Sequence, residues 1–144
     1  MRSRRDELGS VTPLIIGFTV VVALLVGAVV DASAAYLRRQ SLNSLADAAA
    51  LAATDGVQGE KVYTQGLGER AAIDPAAARR YVADYFAASG TGRRYRGLDY
   101  AVTTTQNTVV VRVRTPLDLP FRLPGVGTDV PVTGTAASVV VVSD

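Results

Sequence analysis

The chain has 144 residues, 15 basic and 13 acidic for a net charge of +2, and no cysteine, histidine or tryptophan. That excludes disulfides, thiolate nucleophiles, Cys-ligated zinc and any histidine general base or metal ligand. Hydrophobic residues make up 49% of the chain, and they crowd into its first third.

Residues Leu8 to Val30 carry no charge. A helix rises about 1.5 Å per residue, so roughly 20 apolar residues cross a ~30 Å hydrocarbon layer. In lipid the backbone must satisfy its own hydrogen bonds, so even this Val-rich run is predicted to be helical. Thr12-Pro13 suits its first turn. Arg2, Arg4 and Arg5 precede the span and Asp31 follows it, which orients the N-terminus toward the cytoplasm. The competing reading is a signal peptide cut at Ala32-Ser33-Ala34, but the apolar run exceeds the usual h-region. Thr19, Ala23 and Gly27 recur every four residues as a small-residue stripe suited to helix packing in the membrane. Asp31 marks the boundary, or pairs with a neighbouring helix.

Residues 32–53 contain neither Gly nor Pro and are rich in Ala and Leu, so the helix is predicted to continue. Leu42, Leu45, Ala49 and Ala52 form an apolar stripe. Thr54-Asp55-Gly56 is the predicted stop, with Gly56 as a left-handed cap. The glycine-containing stretch 57–72 reads as a linker. A second helix starts at Asp74-Pro75 and ends at Gly90. Its core face is Ala78, Val82, Tyr85 and Phe86, with an Arg80–Asp84 pair outside. Alternation over residues 98–103 and 109–114 predicts two strands around a turn at Gln106-Asn107. Residues 130–142 predict a third, after a Pro-rich connection.

The fold class is therefore α+β: a long N-terminal helix, then a small head with one short helix and an antiparallel sheet of about three strands. The predicted division is a basic cytoplasmic leader (1–10), a transmembrane helix (11–30), its extracytoplasmic continuation (31–54) and the head (55–144). No catalytic constellation emerges. Lys61 lacks a Ser three residues earlier, where Gln58 stands, and the glycines form no phosphate-binding loop. Arg93-Arg94-Tyr95-Arg96 is the one dense basic patch. It reads as a solvated loop, or as a Tyr/Arg ligand surface over residues 93–100. Strong attraction to anionic lipid or nucleic acid is not expected, because the outer part is nearly neutral.

Gly9-Ser-Val-Thr-Pro-Leu14, the Val/Leu-rich span, Val30-Asp31, Tyr36-Leu-Arg-Arg39, Leu42 and Ala46-Asp-Ala-Ala-Ala-Leu-Ala-Ala53 together resemble TadE/TadG-like proteins of the tight-adherence (Flp) pilus system. The ending, from Val113-Arg-Thr-Pro to Val-Thr-Gly-Thr-Ala-Ala-Ser-Val139, looks like their C-terminal strands. The resemblance implies a bacterial, non-enzymatic, cofactor-free pseudopilin-like or minor-pilin-like protein. Its expected partners are the cytoplasmic membrane and either other pilus-assembly proteins or copies of itself, with no small-molecule substrate. Prepilin-peptidase processing would fall at Gly9-Ser10, although Leu14 stands where pilin-type substrates usually carry Glu.

Overall fold

The computed structural model describes residues 11–65, 73–117 and 131–140. Three helices and three strands follow in chain order: α1 (Val11–Gln65), α2 (Pro75–Ala88), α3 (Thr91–Arg94), β1 (Asp99–Thr104), β2 (Thr108–Pro116) and β3 (Pro131–Val139). The α+β reading holds, with a long N-terminal helix and a small antiparallel head.

Helix α1 is 55 residues long, about 80 Å at the standard rise. The predicted stop at Thr54-Gly56 is overridden, and the first nine residues of the predicted linker are helical. Packing explains the difference. Thr54 is buried. Its hydroxyl back-bonds to the Leu51 carbonyl at 2.8 Å and meets the Ser138 hydroxyl at 3.0 Å. Gly56 is not left-handed; among the described glycines only Gly90 and Gly97 have positive φ. A Cβ at Gly56 would lie 2.5 Å from the Tyr81 ring. That glycine lets α2 approach α1, where the sequence suggested a cap.

Asp74 caps α2 as expected, accepting from the Ala76 amide at 2.9 Å. The helix ends through Ser89 and the left-handed Gly90. Ala77, Ala78, Val82 and Phe86 are buried; Tyr85 packs at the margin. Asp84 attracts Arg80 as expected, but the close ion pair of Arg80 runs from α2 to α1, to Glu60 at 2.9 Å.

The sheet is a meander of order β1-β2-β3, antiparallel throughout. The Thr105 amide donates to the Thr108 carbonyl at 2.9 Å around Gln106-Asn107, the predicted turn. The period-two pattern of β2 sorts its faces. Val109, Val111, Val113 and Thr115 are fully buried toward the helices, while Arg112 and Arg114 are exposed. β3 ends at Val139, and residues 141–142 of the predicted strand lie outside the described residues.

The core lies between α1, α2 and the inner face of the sheet. On α1 it buries Leu42, Ala46, Ala49, Ala50, Ala53 and Val57, a stripe with helical spacing. Leu42 and Ala49 lie at its centre, whereas Leu45 and Ala52 are half-buried at its edge. The buried face is thus turned slightly from the predicted one. Its alanines permit close approach. At Gly134 of β3, a Cβ would lie 2.4 Å from the Leu42 carbonyl carbon and 2.7 Å from the Asn43 amide nitrogen.

Two outcomes follow from this packing. Gly134→Ala pushes against helix backbone, which cannot rotate away, and should cost at least ~1–3 kcal/mol. Gly59→Ala meets nothing within 4 Å and should stabilise the helix by up to about 1 kcal/mol. Proteolysis of the full chain across a urea series in detergent would measure both. Comparable behaviour of the two variants would contradict the Gly134–Leu42 contact. In the same assay, Leu42→Asp should cost about 3–5 kcal/mol, Leu45→Asp less, and Ser44→Asp nearly nothing.

Candidate membrane and assembly surfaces

The first surface is the apolar part of α1. Leu14, Ile15, Ile16, Phe18, Leu24, Leu25 and Val29 are all more than half exposed, and no part of the apolar window is buried. A contiguous apolar surface of this size requires a non-aqueous or protein partner. Among the described residues one helix is long and apolar enough to cross a membrane, which fits a single-pass anchor.

Thr19, Ala23 and Gly27 lie along this exposed rod. The Thr19 hydroxyl donates to the Ile15 carbonyl at 2.8 Å, so it is satisfied within the helix. Ala23 is exposed, and Gly27 and Asp31 are half-exposed. A Cβ at Gly27 would meet nothing within 4 Å, so no packing inside the molecule requires that glycine. Gly9 and Ser10 lie outside the described residues.

The second surface is the neck, where the head meets α1. The Arg38 guanidinium stacks 4.6 Å from the centroid of the Tyr95 ring and donates to the Thr115 hydroxyl at 3.4 Å. The Tyr95 hydroxyl is hydrogen-bonded to that of Ser41, and Arg94 lies 5.7 Å from the same ring. Thr115 in turn donates to the Arg96 carbonyl at 3.3 Å. Tyr95 is only 5% exposed. The expected solvated loop is therefore divided: Arg93 and Arg94 belong to the single-turn α3, while Tyr95 is a core residue that clamps the head to the helix. A Tyr/Arg ligand surface over residues 93–100 loses its central ring. Tyr100 is 40% exposed, and its ring packs edge-on against Phe86 with centroids 4.8 Å apart.

Sequence reasoning missed this clamp. Its signal was the Tyr36-Leu-Arg-Arg39 segment, but the link from Arg38 to Tyr95 spans 57 positions and needed the fold to reveal it.

The third surface is the free face of α1 above Asp31. Tyr36, Arg39, Gln40, Asn43, Ser44 and Asp47 line an open cleft of about 540 Å³. Tyr36, Leu37 and Leu51 are each more than half exposed. At the far end, Glu60 accepts from Arg80 and from the Tyr81 hydroxyl at 3.0 Å. The Tyr81 side chain, and after it Glu60, raise the pKa of the Arg80 guanidinium, which stays charged at physiological pH regardless.

Loss of the Arg38 side chain should cost about 1 kcal/mol, typical of a part-buried cation–π contact. Arg38→Ala should therefore speed trypsin cleavage around Arg93–Arg96 several-fold in the folded chain. An unchanged cleavage rate would mean that the clamp holds nothing.

Residues 9–79 match the model of a family described as Flp pilus-assembly TadE/G-like. No curated protein and no solved structure matches the chain. The matched segment runs from Gly9, through all of α1 and the neck residues Arg38 and Ser41, into the first turn of α2. Over this segment, just under half of its length, the chain is similar to the TadE/G-like pilus-assembly family.

Proposed function

We propose that the chain is a structural, membrane-anchored component of a Flp-type pilus apparatus, pseudopilin-like or minor-pilin-like. Residues 1–10 lie in the cytoplasm and residues 11–30 cross the bilayer. The rest of α1 and the head stand outside. The observation that supports this reading most is α1 itself. An apolar rod that nothing in the molecule covers passes without a break into the helix that forms one wall of the head core. A rigid connection of that kind transmits position from bilayer to head, which a subunit that anchors or primes a filament needs. The family's part in pilus assembly is structural, so no reaction is assigned.

Two other readings fit less well. A binding module presenting residues 93–100 would need Tyr95 at the surface, whereas it is buried. Release by cleavage near Ala34 would cut α1 where it is helical on both sides.

The chain should remain with membranes after a carbonate wash, and protease added from outside should digest the head. Full-length protein in the soluble fraction would overturn the anchor. Protection of the head in intact cells would overturn the orientation.

Processing at Gly9 is tested by intact mass. Leu14 stands where the usual Glu is found, so the wild-type chain should retain residues 1–9 and differ in mass from an uncut Gly9→Ala variant only by that variant's extra methylene. A wild-type chain beginning at Ser10, with the variant uncut, would reverse this expectation.

A further inference from the structure

The head is nearly neutral as a whole, but its charge is sorted along α1. Contacts with the helix fix the heights. Arg38 touches Thr115 and Tyr95, and Gly134 lies on Leu42. The end of β2, the start of β1 and α3 therefore ring the end of the head nearer the apolar span. The Glu60–Arg80 pair and the Gly56–Tyr81 contact place the start of α2 at the opposite end. At the near end stand Arg38, Arg39, Arg93, Arg94, Arg96 and Arg114, against Asp31 and Asp99 among the described residues. At the far end, among the described side chains, Asp55, Glu60, Asp74 and Asp84 outnumber Arg79 and Arg80. Arg112 and Asp47 lie between and offset each other.

We propose that this arginine rim docks on anionic phospholipid headgroups, so that charge seats the head on the bilayer to which the helix tethers it. The proposal rests on the reading of residues 11–30 as a membrane span with the head outside. Distances favour it. Arg38 is seven residues beyond Asp31, about 10 Å along the helix. Arg38 itself is held on Tyr95 and marks the height of the rim; the headgroup layer extends roughly 5–8 Å past the hydrocarbon, and an extended side chain from the exposed Arg39, Arg93 or Arg96 covers the rest. Tyr36, 67% exposed, lies between them at the depth where tyrosine rings favour the interface. The far-end acids begin more than 30 Å out along α1, several Debye lengths of ~8 Å away. They cannot cancel the attraction of the rim.

The absence of cysteine makes single-cysteine probes unambiguous. Gly92 in α3 and Gly59 at the far end both have open space where a Cβ would go. The full chain would carry a fluorophore at Gly92→Cys or Gly59→Cys, in vesicles of neutral phosphatidylcholine or with about 30 mol % phosphatidylglycerol. Quenching by a headgroup-attached quencher is the readout. At Gly92→Cys it should rise about twofold on adding the anionic lipid and fall back in about 0.5 M NaCl. It should also fall back in the combined variant Arg93→Gln, Arg94→Gln, Arg96→Gln. At Gly59→Cys it should not change. Protease resistance of the variant's head must match wild type, and Arg96→Gln alone, with a partial loss, serves if it does not. Equal quenching in both lipids, with the chain still resistant to carbonate, would overturn the docking and leave the anchor standing. Failure to stay in vesicles at all would overturn both. Energy transfer from a Gly92→Cys donor to a Gly59→Cys acceptor on another copy, without lipid dependence, would overturn docking in favour of copies stacked rim to far end.

Discussion

The head depends on one close approach, that of the sheet to the backbone of α1. Gly134 offers no side chain where β3 crosses Leu42 and Asn43, and the helix answers with alanines at 46, 49, 50 and 53. Small residues on both sides trade side-chain volume for proximity. The larger side chains, Val109, Val111, Val113, Val82 and Phe86, then fill the space between the sheet and the two long helices. Because interiors pack at near-crystalline density, neither side of such a contact can grow alone. The sheet cannot be moved outward without uncovering the stripe, and the stripe cannot be enlarged without lifting the sheet.

This arrangement explains why α1 does not end where its local signals say it should. Thr54, Asp55 and Gly56 together favour termination, yet each position serves another purpose or none. Thr54 is buried against Ser138, and Gly56 accommodates the Tyr81 ring. Asp55 is exposed. One further turn brings Glu60 to Arg80 and to the Tyr81 hydroxyl. Exposed ion pairs contribute little by themselves. Here the pair sits beside a glycine contact that already holds α2 in place, and packing supplies most of what keeps the helix going.

The parts legible in the sequence were those governed by local rules. The apolar run, the Asp74-Pro75 helix start, the alternation of Val109, Val111 and Val113, and the turn at Gln106-Asn107 all rest on spacing or intrinsic preference. What was not legible depended on distant partners. The role of Gly56 required Tyr81. The close pairing of Arg80 with Glu60 required α2 to lie against α1. Tyr95 looked like a loop tyrosine among arginines because Arg38 and Ser41, which pack on its ring and bond its hydroxyl, are far away in sequence. The shift of the α1 stripe toward Ala46, Ala50 and Ala53 has the same origin. Leucine reads as more apolar than alanine, but a strand close to helix backbone selects the smaller residue.

The run Ala46-Asp-Ala-Ala-Ala-Leu-Ala-Ala53 lies within the segment matched to the family, and its geometry separates two tasks along one helix. Ala46, Ala49, Ala50 and Ala53 are buried against the head. Asp47 and Leu51 are exposed on the opposite side, on the same free face as Tyr36, Gln40 and Ser44. The alanines are therefore engaged inside the molecule and cannot also meet a neighbouring subunit without releasing the sheet. Any contact that another copy makes with α1 beyond the apolar span must use the other face, which carries single apolar side chains among polar ones. Such a surface suits reversible association better than a permanent core, because permanent interfaces are more uniformly apolar. Below Asp31 the constraint disappears, since nothing in the molecule covers the rod there. The same helix is thus committed to its own head along one stripe above the apolar span, and uncommitted on every side within it.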